Sequence, residues 1–143
     1  MSRVFFDTSV LLAAFFNEHE HHGASLRALS EVTGKTGACA THTLAELYAT
    51  TTRLPGRSRL STDQALVLIE NVTKKLQLVH LDGEEYIAAI ETAAAAGVSG
   101  ATVYDALLLA CASKVRARII YTWNVRHFQR AYPEVAARVA IPG

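Results

Sequence analysis

Residues 3–16 read RVFFDTSVLLAAFF. Arg3 to Asp7 is a short β-type run with unbroken apolar character, the signature of a strand buried on both faces. From Thr8 or Ser9 the spacing turns helical, through about Phe16. A buried strand followed at once by a helix is the opening of an α/β unit, and the rest of the chain repeats the alternation.

His19 to Val32 continues helically, with Leu26 and Leu29 as apolar anchors. Gly34 and Gly37 bracket a turn, and Ala38 to Ala40 is a candidate second strand. Thr43 to Arg53 reads as a helix with Leu44, Leu47, Tyr48 and Thr51 on one stripe, broken by Leu54-Pro55-Gly56. Ser61-x-x-Gln64 is a capping box. It opens a helix striped by Ala65, Leu68, Ile69, Val72 and Leu76. Leu76 to Leu81 reads as the third strand. Glu84 to Ala96 is a helix carrying Tyr86, Ile87 and Ile90, with Gly97 as its stop. Thr102 to Val115 is the most apolar helix. Ala106 to Ala112 is apolar on every side, which predicts burial between other elements. Arg118 to Trp123 is the fourth strand. A short helix from about Val125, a turn at Pro133 and a final strand near Arg138 to Ile141 complete the chain. The alternation predicts an α/β fold: a central, mainly parallel sheet of four to five strands with helices on both faces. No repeat, linker or low-complexity segment divides it, so residues 1–143 form one domain.

Composition supports a single domain with a sizeable core. The chain has 143 residues, 50% hydrophobic and 19% charged, which excludes a disordered tail, a collagen-like fibre and a disulfide miniprotein. Lys plus Arg is 14 against 13 acids, a net charge of +1. A globally basic nucleic-acid coat is excluded; a local basic patch is not. Cys39 and Cys111 each lie in an apolar stretch and read as reduced core thiols of a cytoplasmic protein. The apolar run Val10 to Phe16 is too short to span a bilayer. Asp7 and the missing small-residue cleavage site make it a poor signal peptide. The reading is a soluble, cytoplasmic protein with no membrane segment.

In open α/β sheets ligands bind beyond the carboxyl ends of the strands. Asp7 ends the first strand, Glu46 and Asp105 sit in first turns of helices, and Asn124 follows the fourth strand. In a parallel sheet several such junctions share one edge. Three acids converging there suit a hard divalent cation, Mg²⁺ or Mn²⁺, and such a cation suits phosphodiester hydrolysis. Each acid also has a structural use. Asp7 can N-cap the following helix, and Thr43-x-x-Glu46 and Thr102-x-x-Asp105 both match a capping box.

At these residues the chain resembles a PIN domain, most nearly a VapC-type toxin ribonuclease. VFFDTSVLLAAF (4–15), HTLAELYATTTR (42–53), VYDALLLACA (103–112) and IIYTWNVRHF (119–128) are similar to the family's four motifs, in family order. The resemblance implies a three-layer α/β/α fold. It implies that Asp7, Glu46 and Asp105 hold Mg²⁺ or Mn²⁺, with Thr8 or Ser9 in support by hydrogen bonding. Many relatives carry Asp at the fourth motif, where this chain has Asn124 and His127. Asn can still ligate through its carbonyl oxygen, without charge, and His127 also reads as an exposed residue at a helix start. The implied activity is hydrolysis of RNA, with Asp7, Glu46, Asp105 and Asn124 as the catalytic set, and Glu46 or Asp105 as candidate proton acceptor. Thr8 and Arg126 are candidate substrate contacts; Arg130 is a further candidate cation, as are Arg53, Arg57 and Arg59 around the Pro-Gly break, which read equally as solvated surface charge. The family also implies a cognate antitoxin and a homodimer, for which Leu44/Leu47/Tyr48 or Ala65/Leu68/Ile69 offer apolar faces.

Other readings fit less well. His19-Glu20-His21-His22 suggests zinc, but the metalloprotease pattern needs His where Gly23 stands, so a solvated helix face is expected. A receiver-type signalling domain would need paired acids after the first strand and a Lys after the last, and Leu81-Asp82-Gly83 alone mimics its acceptor. A non-catalytic, RNA-binding PIN-like scaffold is the other alternative, against which the intact triad speaks.

Overall fold

The computed structural model describes residues 3–143. The elements run β1 (Arg3–Phe6), α1 (Thr8–Phe15), α2 (His22–Ser30), β2 (Gly37–Ala40), α3 (Thr41–Thr51), α4 (Thr62–Lys75), β3 (Gln77–Val79), α5 (Gly83–Ala95), α6 (Thr102–Lys114), β4 (Ala117–Tyr121), α7 (Val125–Ala131) and β5 (Val139–Ala140). Short 3₁₀ turns occupy Gly56–Ser58 and Pro133–Arg138. All five strands are parallel, in the order β3-β2-β1-β4-β5.

The pleat sorts side chains onto two cores. Val4, Phe6 and Cys39 face one side, where they pack with Val10 and Leu11 of α1, Leu29 of α2, Leu47 of α3 and Leu68 and Val72 of α4. Phe5, Ala38, Ala40 and Ile120 face the other, against Ala93 of α5, Leu108, Leu109 and Ala112 of α6 and Phe128 of α7. The result is the expected three-layer α/β/α arrangement. Packing is close where β2 begins. A Cβ on Gly37 would stand 2.6 Å from Val32 Cγ2 and 2.7 Å from Leu76 Cδ2.

Several sequence expectations need correction. The helix expected from His19 starts only at His22, because the preceding residues form turns through His19 N to Phe16 O and His22 N to His19 O. The histidine run is accordingly not a solvated helix face. The His21 ring stacks on Trp123 at 3.7 Å between centroids, and His22 Nδ1 lies 2.9 Å from Ala13 O. Tyr86, Ile87 and Ile90 of α5 are exposed; Ala89 and Ala93 face inward instead. Helix α5 packs against α6, and small residues suit such an approach. Asp82 mimics no phosphoacceptor: it N-caps α5, accepting from Glu85 N at 2.8 Å in a capping box with Glu85. Of the apolar faces considered for pairing, Leu47, Ala65 and Leu68 are core, Leu44 and Ile69 are half-buried, and Tyr48 alone is exposed.

The Ser61 capping box opens α4 as expected, and α6 is buried as its composition demands. Cys39 and Cys111 are free and buried, on opposite faces of the sheet. Burial pushes the Cys39 thiol up to about 12 and Cys111 to about 11, so neither is a ready nucleophile. Among the described residues, no helix is long and apolar enough to cross a membrane.

Candidate metal centre

The strand order places a switch point between β1 and β4, because the chain builds outward through β2 and β3 on one side and adds β4 and β5 on the other. The carboxyl edge at such a point is where α/β sheets bind ligands. Asp7 follows β1 there, and Thr122 follows β4.

Asp7 is almost wholly buried, at 4% exposure, and Thr122 entirely so. The Asp7 carboxylate accepts from Ser9 Oγ at 2.7 Å, Thr122 Oγ1 at 2.8 Å and Ser9 N at 3.4 Å. All three bonds end on Oδ2, which keeps Oδ1 for a ligand. The Ser9 amide bond is also the N-cap of α1, so one side chain serves both readings drawn from the sequence. A second ring of bonds fixes the donors. Trp123 N donates to Ser9 Oγ at 3.0 Å, Asn124 N donates to Thr122 Oγ1 at 3.0 Å, and Trp123 Nε1 donates to buried Ser25 Oγ at 2.9 Å.

Glu46 is half-buried on α3 and accepts from Thr8 Oγ1 at 2.7 Å, with the Thr43 hydroxyl 3.3 Å from Thr8 Oγ1. The capping-box reading fails here. Helix α3 begins at Thr41 with Ala40 as N-cap, so Thr43 lies inside the helix and turns inward. It fails at Asp105 as well, where α6 has Ala101 as its N-cap and no side-chain cap bond. Two of the three acids therefore lose their structural explanation.

The electrostatics tie the acids together. Burial pushes Asp7 above the usual carboxylate range, against the pull of the Ser9 and Thr122 hydroxyls. Asp105 is also raised, first by burial and then by the negative charges of Asp7 and Glu46, while His127 opposes the rise. Uncompensated negative charge gathered at a sheet edge is costly unless a cation joins it. Among the described residues, no three acidic, histidine or cysteine side chains stand within joint reach of one ion in their present rotamers. The donor chemistry nevertheless fits a hard cation: three carboxylates, one of them pinned with an oxygen to spare. To ligate one ion, the carboxylates must close up from where they stand.

The remaining expected residues divide. Thr8 is a positioning group for Glu46, with its single proton committed there. Asn124 joins through its backbone amide; its side chain is exposed. Arg126 and His127 are exposed on α7. The sequence reading gave Thr43 only a capping role and assigned none to Thr122 or Trp123. Thr122 stood inside the Thr-x-Asn motif, and only its burial against Asp7 reveals its use.

Comparison with known proteins agrees with this architecture. The PIN domain family model matches residues 4–132. Ribonuclease VapC40 of Mycobacterium tuberculosis is 32% identical over 114 residues, which are 80% of this chain and 81% of that protein. The solved structure of Mycobacterium tuberculosis VapC20, described as a Sarcin-Ricin loop cleaving toxin, superposes with a TM-score of 0.71 at 16% identity, covering 90% of this chain and 95% of that one. DNA-bound VapBC from Salmonella typhimurium gives 0.70 at 20% identity, covering 99% and 98%. The chain belongs to the PIN domain family.

Proposed function

We propose that this PIN-domain protein is an endoribonuclease of the VapC kind, the toxin of a toxin–antitoxin pair, and that it cuts RNA with Mg²⁺ or Mn²⁺ held by Asp7, Glu46 and Asp105. The carrying observation is the buried Asp7 carboxylate, clamped through one oxygen by Ser9 and Thr122 and raised by burial. The VapC40 relative and the VapBC neighbours support the ribonuclease and antitoxin readings.

Each residue has a distinct task. Ser9 and Thr122 hold Asp7 so that its free oxygen points the same way in every copy. Thr8 holds Glu46. Asp105, half-buried and without a side-chain partner among the described residues, is the adjustable member that completes the set. A bound cation would polarise the phosphoryl oxygen and lower the pKa of an attacking water. Arg126, exposed on α7, would supply the positive charge that a phosphate backbone needs, and Asn124 an uncharged oxygen.

The test is cleavage of a mixed RNA pool with Mg²⁺, with Mn²⁺ and with chelator. Cutting should need a cation and should vanish in Asp7→Asn and Asp105→Asn proteins that melt normally. Chelator-resistant cutting, or full activity in Asp7→Asn, refutes the assignment. Expression without a partner should slow growth of a bacterial host, and Asp7→Asn should relieve it; harmless wild type refutes the toxin role alone.

A further inference from the structure

An apolar cavity lies at the same sheet edge as the acids, none of which lines it. It has a volume of about 190 Å³ and opens at the carboxyl ends of β2 and β3, against α6. An apolar cavity of about 150 Å³ accepts a benzene ring, so this one is sized for a single planar ring system rather than for a helix or strand of a partner. Its floor is apolar, with Leu107, Leu108 and Cys111 on one face of α6, and its rim is His42, His80, Tyr86 and Tyr104. Both tyrosines are exposed, at 45% and 58%. Among the described residues no protein group bonds these four rim side chains; His80 is engaged only through its backbone oxygen, by Lys114 Nζ.

Resting on the RNA-cleaving reading above, we propose that this cavity holds one unpaired base of the substrate, next to the phosphate being cut. Two features favour a base over the aromatic side chain of a protein partner. First, the cavity combines stacking surfaces with free hydrogen-bonding groups. A base edge needs such groups, a phenyl ring does not, and single-stranded RNA is commonly read by stacking on aromatic side chains plus contacts to base edges. Second, two rim residues adjoin site residues along the chain, although no acid lines the cavity itself. Tyr104 directly precedes Asp105, and His42 directly precedes Thr43, whose hydroxyl meets the Thr8 that holds Glu46. The cavity sits over β2 and β3, and Asp7 follows β1, so the two lie about one to two strand spacings apart, on the order of 5–10 Å. A base and its neighbouring phosphate span such a gap.

The proposal makes Tyr104 a specificity residue and is testable without cleavage. The four nucleoside monophosphates are titrated, in chelator, into protein carrying ¹³C-labelled leucine methyls. At least one should shift the Leu107 and Leu108 methyls in a saturable manner, and ribose 5-phosphate should not. Tyr104→Ala should weaken that binding about ten-fold, and Tyr104→Phe, which keeps the stacking ring, should stay within about two-fold. No shift with any nucleotide, or equal shifts with ribose 5-phosphate, overturns the proposal. Shifts of the same methyls on dilution alone would put a second copy of the chain in the cavity, and overturn it too. A parallel cleavage series separates this proposal from the one it rests on. Removing the base beside the cut should slow wild type about ten-fold and slow Tyr104→Ala no further. Nucleotide binding without any RNA cleavage defeats the nuclease reading and leaves the cavity assignment; cleavage indifferent to both changes does the reverse.

Discussion

Thr122→Val isolates what holds the central carboxylate. The change is nearly isosteric and removes one hydroxyl at a fully buried position. That hydroxyl donates to Asp7 Oδ2 at 2.8 Å and accepts from Asn124 N at 3.0 Å. A hydrogen bond to a charged group is worth about 1.5–3 kcal/mol, and an amide left without its acceptor adds about 1 kcal/mol. The expected loss is about 2–4 kcal/mol where Asp7 is ionised. Below the Asp7 titration the carboxyl is neutral, the bond is of the ordinary kind, and the loss shrinks to about 1–2 kcal/mol. The mutant penalty therefore grows with pH through the raised Asp7 pKa. Urea unfolding at about pH 4 and about pH 8, followed by fluorescence of Trp123, measures both. Cleavage should also fall about 10–100-fold, the usual cost of removing a group that orients a metal ligand. A stability loss below about 0.5 kcal/mol at the higher pH, or one that does not change with pH, would refute the view that Thr122 serves the Asp7 charge.

Further outcomes follow from the same structure. Asp7→Asn should melt at or above wild type near neutral pH. The folded pKa of Asp7 lies above its unfolded value, so ionisation disfavours the fold, and the handicap appears as pH rises from the unfolded pKa through the folded one; a lower melting temperature there contradicts this. Mn²⁺ affinity, read by calorimetry, should rise with pH across the raised pKa values of Asp7 and Asp105, since each proton held must leave before the ion is bound; a flat profile above the ordinary carboxylate range counts against both as ligands. Gly37→Ala should cost about 1–3 kcal/mol in urea unfolding, because its methyl would overlap Val32 and Leu76.

The fold was legible wherever a local pattern had one physical meaning. RVFF, GACA and ARIIY are apolar runs too short for helices, and each is a strand. The Ser61 box starts α4 because its bonds close within four residues. Reading failed where meaning depended on a distant neighbour. Thr43-x-x-Glu46 has the letters of a capping box, yet α3 begins two residues earlier and Thr43 faces Thr8. In α5 the period shows an apolar stripe without saying which face the sheet side takes, and the alanines took it. His21 finds its ring partner 102 positions later, at Trp123. Of the site, the acids were legible as residue types at strand and helix junctions; the hydroxyls of Thr122 and Thr43 were not, since threonine near an acid is common and only packing selects these two.

The bond from Thr122 to Asp7 joins residues 115 apart in the chain, and that from Trp123 to Ser9 joins residues 114 apart. Strand β1 likewise pairs with β4 as well as with β2. A polypeptide emerging from the ribosome thus carries an unclamped Asp7 until Thr122 and Trp123 have been synthesised. The cutting centre is assembled only once β4 and the residues after it are made, and a nascent chain that stops short of them poses no threat to the RNA of the machine producing it.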